Sequence, residues 1–331
     1  MTGRFKLQSI LKHAHNAIVN TTSICLLFGG ILACSTSPTQ SVAALPNADT
    51  IKKSDIFLNP PEVLQGGITF ISIFLDSEPS EISGLFNGKS ISFYPDGKTD
   101  SLIRYTAMVG VAEAVPAGVK DFLVKICLVS KGCHEKKASL KILSATFPSE
   151  TLSVPPRTIE PNKEDQKKIM RDMQLLKKVY AMKTQTQLWK APLVLPVQPF
   201  EITSGYGARR VYNGKTQSVH YGTDARAPTG TPIYSPLRGR VALAQHLFYT
   251  GHTVILDHGY GLFTVYAHLS KRKIKQGGIV EKGTVIGLSG ATGRASGPHL
   301  HWGVNLHGAR VDPVALINVF SNTTSQNNTV Q

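Results

Sequence analysis

Short apolar runs separated by turn residues set the pattern of residues 51–154. The runs at 68–75 (ITFISIFL) and 121–129 (DFLVKICLV) are rich in β-branched and aromatic side chains, which favour strands. An Asn-Gly pair at 87–88 and an Asp-Gly pair at 96–97 are typical of the tight turns that join such strands. The pattern predicts a small module resembling a β-sandwich, without any group of residues suited to catalysis.

In residues 155–191 the spacing of apolar residues changes from that of strands to that of a helix. Prolines break the chain first, and the helical pattern then begins. Apolar side chains recur there at i, i+4, i+7 and i+11: Ile169, Met173, Leu176 and Tyr180. This spacing predicts an amphipathic helix over residues 163–184, with Asn162 as its N-cap. The opposite face is rich in lysine, as expected of a solvated linker helix that packs on its neighbours.

From residue 192 the chain returns to short apolar runs punctuated by glycine and proline, with no helical stretch of length. The polar residues 319–331 can bury too little apolar surface to offset their conformational entropy, so we expect a disordered tail. The resulting prediction is an all-β protein with one linker helix, in which residues 192–318 form the second domain.

Residues 1–34 have the pattern of an export signal. Three basic residues and no acidic ones precede the apolar segment 23–33, which is too short for the ~20 residues of a membrane-spanning helix. The segment ends in Ile-Leu-Ala-Cys, which resembles a bacterial lipobox and predicts lipidation of Cys34. Cleavage near residues 43–44 and retention of the segment as an anchor are the alternatives, and residues 35–50 are predicted to be a flexible linker.

Two cysteines lie beyond this signal, Cys127 and Cys133, on either side of a Ser-Lys-Gly turn. In an exported protein this spacing predicts a small disulfide that closes a hairpin. The alternative is a zinc knuckle, which would need more ligands than the neighbouring His134.

The distribution of charge along the chain limits the classes of molecule that the protein is expected to bind. The chain carries 36 Lys and Arg against 21 Asp and Glu, a net charge of +15, and the excess lies mostly in residues 151–331. A basic C-terminal half suits an acidic polymer or an anionic surface, such as nucleic acid or the carboxylates of bacterial cell-wall peptides. No basic motif interleaved with aromatic residues, as in nucleic-acid readers, is present. Hydrophobic residues make up 41% of the chain, which excludes a wholly disordered protein.

Histidines are concentrated in the predicted second domain, which holds eight of the eleven. His299 and His301 are two apart, so on a strand both side chains project from the same face. In an extended segment His220 and Asp224 also share a face, and imidazole and carboxylate are ligands that zinc accepts. His268 lies between these pairs along the chain. The cluster predicts a metal site.

Together with the surrounding residues, these motifs resemble the lysostaphin-type (LytM-domain) zinc endopeptidases that cut peptidoglycan. The resemblance rests on His-x-x-x-Asp at 220–224, Tyr-x-His at 266–268 and His-Leu-His at 299–301, in that order. It runs from about residue 192 to residue 316, and the upstream module and helix resemble the N-terminal half of Gram-negative cell-wall members of the family. The family implies a β-rich catalytic domain of antiparallel sheets with the site in a groove across one sheet.

Carried over residue by residue, the resemblance implies one zinc ion held by His220, Asp224 and His301, with a fourth position left for water. It implies that His268 and His299 are the catalytic histidines, which accept the proton of the water and stabilise the oxyanion. Which histidine takes which role stays open. The chain has no His-Glu-x-x-His motif, so a thermolysin-type glutamate base is not available.

The function that the resemblance implies is zinc-dependent hydrolysis of peptide cross-links in peptidoglycan, with D,D bonds favoured by the Gram-negative arrangement. The partners are then stem peptides rather than nucleic acid, and the location is the periplasm, at a membrane to which Cys34 anchors the chain. The alternative is a non-catalytic LytM module that activates a cell-wall amidase, but such relatives are degenerate at the ligands, all of which are present here. A further hypothesis is that the N-terminal module or the 163–184 helix covers the groove and restrains activity.

Overall fold

The computed structural model describes residues 55–99 and 101–326. Its first part consists of strands β1 (Ile56–Asn59), β2 (Glu62–Leu64), β3 (Ile68–Leu75), β4 (Glu81–Phe86), β5 (Lys89–Ser92), β6 (Tyr94–Lys98), β7 (Ile103–Gly110), β8 (Gly118–Leu128) and β9 (Gly132–Leu143). These strands form two sheets, with the orders β1-β3-β7-β6 and β2-β9-β8-β4-β5.

Apolar side chains of the two sheets meet between them, so this part is a sandwich, as the sequence predicts. The central apolar residues come from strands of both sheets: Ile71, Ile73, Val109, Phe122 and Val124. Strand β3, one of the two predicted runs, pairs antiparallel with β7 along its full length. Cys127 and Cys133 face each other across the β8–β9 hairpin and form the predicted disulfide.

Strand β10 (Ser149–Leu152) follows β9, and the linker then contains a 3-10 turn (Pro156–Thr158) and helix α1 (Lys163–Tyr180). The Asn162 side chain accepts the backbone N–H of Asp165 at 2.9 Å, which confirms the predicted N-cap. The helix ends at Tyr180 rather than at residue 184.

The C-terminal part contains β11 (Ile202–Ser204), β12 (Arg209–Tyr212), β13 (Thr216–Val219), β14 (Thr223–Arg226), β15 (Pro232–Tyr234), β16 (Gly239–Leu247), β17 (Gly251–Gly259), β18 (Leu262–Leu269), β19 (Lys271–Arg272), β20 (Ile279–Val280), β21 (Val285–Leu288), β22 (His299–Leu306), β23 (Ala309–Val311) and α2 (Pro313–Gln326). The main sheet is antiparallel, with the order β11-β14-β22-β18-β17-β16-β20 and with β23 paired to β22. Two smaller sheets have the orders β15-β21-β19 and β10-β12-β13.

Strand β10 does not belong to the sandwich, although it lies within the predicted module 51–154. It pairs in parallel with β12, from Ser149 opposite Arg209 to Leu152 opposite Tyr212. A segment from upstream of the linker therefore completes a sheet of the C-terminal part. The sequence pattern does not signal this pairing, because it joins strands that are distant in sequence.

The two faces of the main sheet have different neighbours. Along β17 the side chains alternate, so that Val254 and Leu256 enter one core and Ile255 enters another. The first core also contains Leu300 and Trp302 of β22. The second core is built from Leu243, Ile255 and Phe263 of the sheet and Val179 of α1. Helix α1 therefore lies on the face to which the odd-numbered residues of β22 project.

The predicted disordered tail is wrong over its first residues. Helix α2 continues to Gln326, and residues 327–331 are not described. Val319 and Phe320 are 6% and 3% exposed and join Leu316 in the first core. Their helical spacing gives α2 an apolar face. The prediction missed this face because the residues that follow are polar.

None of the helices in the described ranges combines the length and the apolar composition needed to cross a bilayer. The predicted export signal 1–34, the lipidation site Cys34 and the flexible linker 35–50 lie outside the described residues.

Candidate metal centre and active site

Three of the predicted residues converge on one point at the surface of the main sheet. Asp224 on β14 lies directly opposite His301 on β22, and His220 precedes β14 in the connection from β13. The Oδ1 of Asp224 is 2.9 Å from His220 Nε2 and 2.9 Å from His301 Nδ1, and the two nitrogens are 3.0 Å apart. Among the described residues these three form a group that can hold a metal ion.

The hydrogen bonds of His220 determine which ring nitrogen faces this point. Its Nδ1–H donates to the carbonyl oxygen of Gly205 at 2.8 Å, because a carbonyl can only accept. The lone pair of Nε2 is therefore directed at Asp224 and His301. A hydrogen bond from the other ring nitrogen to a backbone carbonyl is what orients a histidine as a metal ligand.

The donor set fits zinc. Two imidazole nitrogens and one carboxylate oxygen are ligands that zinc binds at about 2.0–2.2 Å, and three protein ligands are typical of catalytic rather than structural zinc sites. His220 and Asp224 are 3% and 5% exposed, so this polar group is held away from solvent. A buried cluster of a carboxylate and two imidazoles is costly unless charge is balanced, and a divalent cation would balance it.

Close packing around Gly222 explains why a glycine stands between His220 and Asp224. A Cβ at this position would lie 2.6 Å from Cε1 of His301 and 2.6 Å from the carbonyl oxygen of Trp302. Only a residue without a side chain lets the connection pass this close to a metal-ligand histidine.

Arg210 is a functional residue that the sequence analysis does not assign to the site. It lies on strand β12 and is 8% exposed. Its Nη2 donates to Asp224 Oδ2 at 2.6 Å and to Ser204 Oγ at 2.7 Å, and its Nε donates to Glu150 Oε2 at 3.2 Å. The contact with Asp224 joins residues on different strands, and no short-range spacing signals it.

The charge of the Asp224 carboxylate is strongly favoured. Burial raises its pKa, but the interactions of its carboxylate with His220 and His301 outweigh burial and hold the pKa of Asp224 well below its usual range. Burial lowers the pKa of the Arg210 guanidinium, but the charge and the hydrogen bond of Asp224, together with Tyr212, raise it overall. Both groups are therefore ionised at neutral pH.

His268 faces the same groove because of an irregularity in strand β18. In a regular strand Tyr266 and His268 would share a face, yet Tyr266 lies in the core below the sheet. The pairing of β17 with β18 shifts register there, and His268 has a φ of 59°. A β-bulge with a residue in the left-handed region redirects the side chain, as is common beside active sites.

His268 and His299 form the second layer of the site, with ring centroids 4.9 Å apart. The Nδ1–H of His268 donates to Thr292 O, and that of His299 donates to Gly297 O, each at 2.8 Å. In the neutral form of each ring, Nε2 therefore carries the lone pair, and the buried Nε2 of His299 has no hydrogen-bond partner. Burial, reinforced by His301 and His299, lowers the pKa of His268 to about 3, so its ring is neutral.

Trp302 and His258 are two further buried residues of the main sheet. Trp302 lies on β22 and packs in the first core. His258 lies on strand β17 and is fully buried. Its Nδ1–H donates to Arg238 O at 2.8 Å, and its Nε2 lies 2.7 Å from the Thr264 hydroxyl. It is a structural histidine within the sheet.

Two cavities flank the metal centre. One, of about 340 Å³, lies between the sheet and α1 and is lined by His220, His301, Ile169 and Met173 among others. The other, of about 610 Å³, is lined by Asp224 and His299. The candidate metal-ligand residues therefore line both cavities, His220 and His301 the first and Asp224 the second.

Fold, motifs and site together define a class of protein. Residues 218–313 match the model of peptidase family M23. A crystal structure described as an M23 peptidase from Pseudomonas aeruginosa is 30% identical and covers 78% of this chain and 96% of its own, with a TM-score of 0.58. The chain belongs to peptidase family M23, a family of metallopeptidases, and the resemblance to the lysostaphin-type enzymes is confirmed.

Named relatives also match part of the chain. Peptidoglycan DD-endopeptidase ShyA of Vibrio cholerae is 40% identical over 114 residues, 34% of this chain and 26% of that protein. DD-carboxypeptidase/endopeptidase Mpg of Neisseria meningitidis is 37% identical over 121 residues, 37% of this chain and 28% of that protein. The chain therefore spans only about a quarter of the length of these curated relatives.

Proposed function

We propose that the protein is a zinc-dependent endopeptidase that hydrolyses peptide cross-links of peptidoglycan, with D,D bonds as its substrate. The observation that carries the proposal is the convergence of His220, Asp224 and His301 on one point, beside two histidines whose Nδ1–H groups are already donated to carbonyl oxygens. The similarity to ShyA, a peptidoglycan DD-endopeptidase, and to Mpg, a DD-carboxypeptidase/endopeptidase, supports the choice of substrate.

The site holds the parts that amide hydrolysis needs. Zinc, held by His220, Asp224 and His301, would supply a Lewis acid that polarises the carbonyl and acidifies water. Because the Nδ1–H of His268 and of His299 is already donated to a carbonyl, Nε2 is the atom that accepts a proton from the nucleophilic water. Once protonated, the same atom donates to the oxyanion or returns the proton to the leaving amine.

The location in the proposal rests on the sequence alone. We infer that the chain is exported to the periplasm and anchored by a lipid on Cys34. The Cys34→Ala variant tests this, because the lipidated protein is expected in the membrane fraction and the variant in the soluble fraction. Equal partition of both forms would contradict lipidation at this residue.

Digestion of purified, cross-linked peptidoglycan tests the activity. We expect dimeric muropeptides to become monomers, and the masses of the products identify the bond. His220→Ala and a chelated sample are expected to be inactive, whereas His246→Ala, which changes an exposed histidine on β16, is expected to be active. A folded, zinc-loaded protein that leaves the dimers intact would contradict the proposal and favour the amidase-activating alternative.

A further inference from the structure

Four residues line both cavities beside the metal centre: Arg210, Tyr212, His268 and Arg294. Arg210 is occupied by its bonds to Asp224 and Glu150. His268 is a proposed catalytic residue, and Tyr212 contributes an uncharged aromatic ring to the lining. Arg294 is therefore the remaining charged group at the junction of the two cavities. A peptide that extends along the groove through both cavities passes it.

Arg294 is held in place by its surroundings. Its guanidinium lies 4.4 Å from the ring centroid of Tyr212 and 4.4 Å from that of Tyr249. Its backbone N–H donates to Tyr249 O at 2.7 Å. Stacking occupies the faces of a guanidinium and leaves its N–H groups available at the edge, in the geometry that matches a carboxylate. The side chain is thus ordered without its donors being used.

No described carboxylate pairs with this guanidinium. Of the acidic residues that line the two cavities, Glu150 and Asp224 bind Arg210, and Asp172 accepts the backbone N–H of Phe248 at 2.7 Å. A half-buried positive charge between aromatic rings, without an acidic partner, attracts anions to the groove. The loop is also close to the catalytic machinery, because Thr292, two residues earlier, accepts the Nδ1–H of His268.

We propose that Arg294 binds a free carboxylate of the peptide substrate and so selects substrates that carry one near the reacting bond. This inference rests on the proposed function. The carboxylate has two possible sources in a stem peptide, the C-terminal carboxylate and a side-chain carboxylate. Both present the same bidentate acceptor to the arginine edge.

The test compares three muropeptide dimers on the full-length, zinc-loaded chain: the free acid, the C-terminal amide and the side-chain amide. Losing a charge-assisted hydrogen bond reduces kcat/KM about 10- to 100-fold. We expect one amide to show this loss, mainly through KM, and the identity of that amide names the carboxylate. This arm uses the wild-type chain and does not depend on how a variant folds.

The second arm repeats the comparison with Arg294→Gln and with Arg238→Gln, which removes an exposed arginine paired with Glu281. We expect Arg294→Gln to hydrolyse the acid and the amides at one reduced rate, and Arg238→Gln to discriminate as the wild type does. A role of Arg294 limited to bracing the two tyrosines would reduce all rates and preserve the discrimination.

Three results would overturn the inference. They are equal hydrolysis of all three dimers by the wild type, unchanged discrimination in Arg294→Gln, and no hydrolysis of any dimer by the zinc-loaded wild type. The last result would remove the proposed function as well, whereas the first two leave that function intact.

Discussion

Arg210 and Asp224 form a buried ion pair in which the arginine Nη2 donates to Oδ2 at 2.6 Å. The other oxygen of the carboxylate, Oδ1, is left to face His220 and His301. Because the guanidinium is planar and is also held by Glu150, it fixes the rotation of the carboxylate. Arg210 therefore positions a metal ligand without touching the metal itself.

The first prediction concerns Arg210→Gln, which removes this positioning contact. We expect zinc affinity to fall about 10- to 100-fold, the usual effect of losing a partner that orients a ligand. Competition with a chromogenic chelator measures the affinity. Arg226→Gln is the matched control, because Arg226 lies on β14, the strand that carries Asp224, but pairs with Glu201 at the surface. Equal affinities for Arg210→Gln and the wild type would contradict the positioning role.

The second prediction concerns Gly222→Ala. A methyl group there would meet both His301 and the backbone of Trp302, so His301 must move. We expect zinc affinity and hydrolysis to fall together, while the sandwich, which lies elsewhere in the fold, keeps its secondary structure. Circular dichroism and zinc titration check this. Full zinc binding by a folded Gly222→Ala protein would show that the close approach is not needed.

The third prediction concerns α1, which contributes Ile169 and Met173 to the wall of the smaller cavity. If the helix restrains access, Ile169→Ala with Met173→Ala is expected to increase the rate on intact wall material. Met170→Ala is the control, because Met170 is on the same helix, is 56% exposed and does not line that cavity. A lower rate would instead mean that the helix contributes to substrate binding.

Point variants are preferable here to a truncation that begins near Leu193. Such a truncation removes β10 together with α1, and β10 carries Glu150, which binds Arg210. Loss of activity after truncation would therefore reflect damage to the metal centre as well as the loss of the helix.

The fourth prediction is a pH dependence of stability caused by His258. Burial lowers the pKa of His258 to about 4, below the ~6.5 of an unfolded histidine. Between these values the unfolded chain binds the extra proton, so the stabilisation is complete above about pH 6.5 and is lost as pH falls towards 4. The contribution is about 3 kcal/mol by the standard conversion of a pKa shift.

Denaturant unfolding at pH 7 and at pH 4.5 measures this effect. We expect His258→Gln to lose less stability between the two pH values than the wild type does. His134→Gln, which changes an exposed histidine on β9, is expected to match the wild type. An identical pH dependence in His258→Gln would exclude this histidine as the source.

Much of the metal centre is readable from sequence because its spacings are those of strands. The two-residue spacing of His299 and His301 places both on one face, and β22 confirms this. His268 is different, since a bulge decides which face it takes, and a bulge leaves no periodic signal. Only the family motif identifies it.

The fold shows the same difference between features with a local sequence signal and features without one. The β-branched runs that predict β3 and β8 are local features, and both strands form. The pairing of β10 with β12 and the contact between Glu150 and Arg210 depend on residues that are distant in sequence. Such contacts arise from the tertiary fold, and neither composition nor periodicity encodes them.

The most direct test of the central claim is a zinc titration of the metal-free, full-length protein, with bound zinc and hydrolysis of muropeptide dimers measured in the same samples. We predict that both rise together and saturate at one zinc ion per chain, and that His220→Ala shows neither. Hydrolysis by the metal-free protein, or full hydrolysis by His220→Ala, would contradict the account.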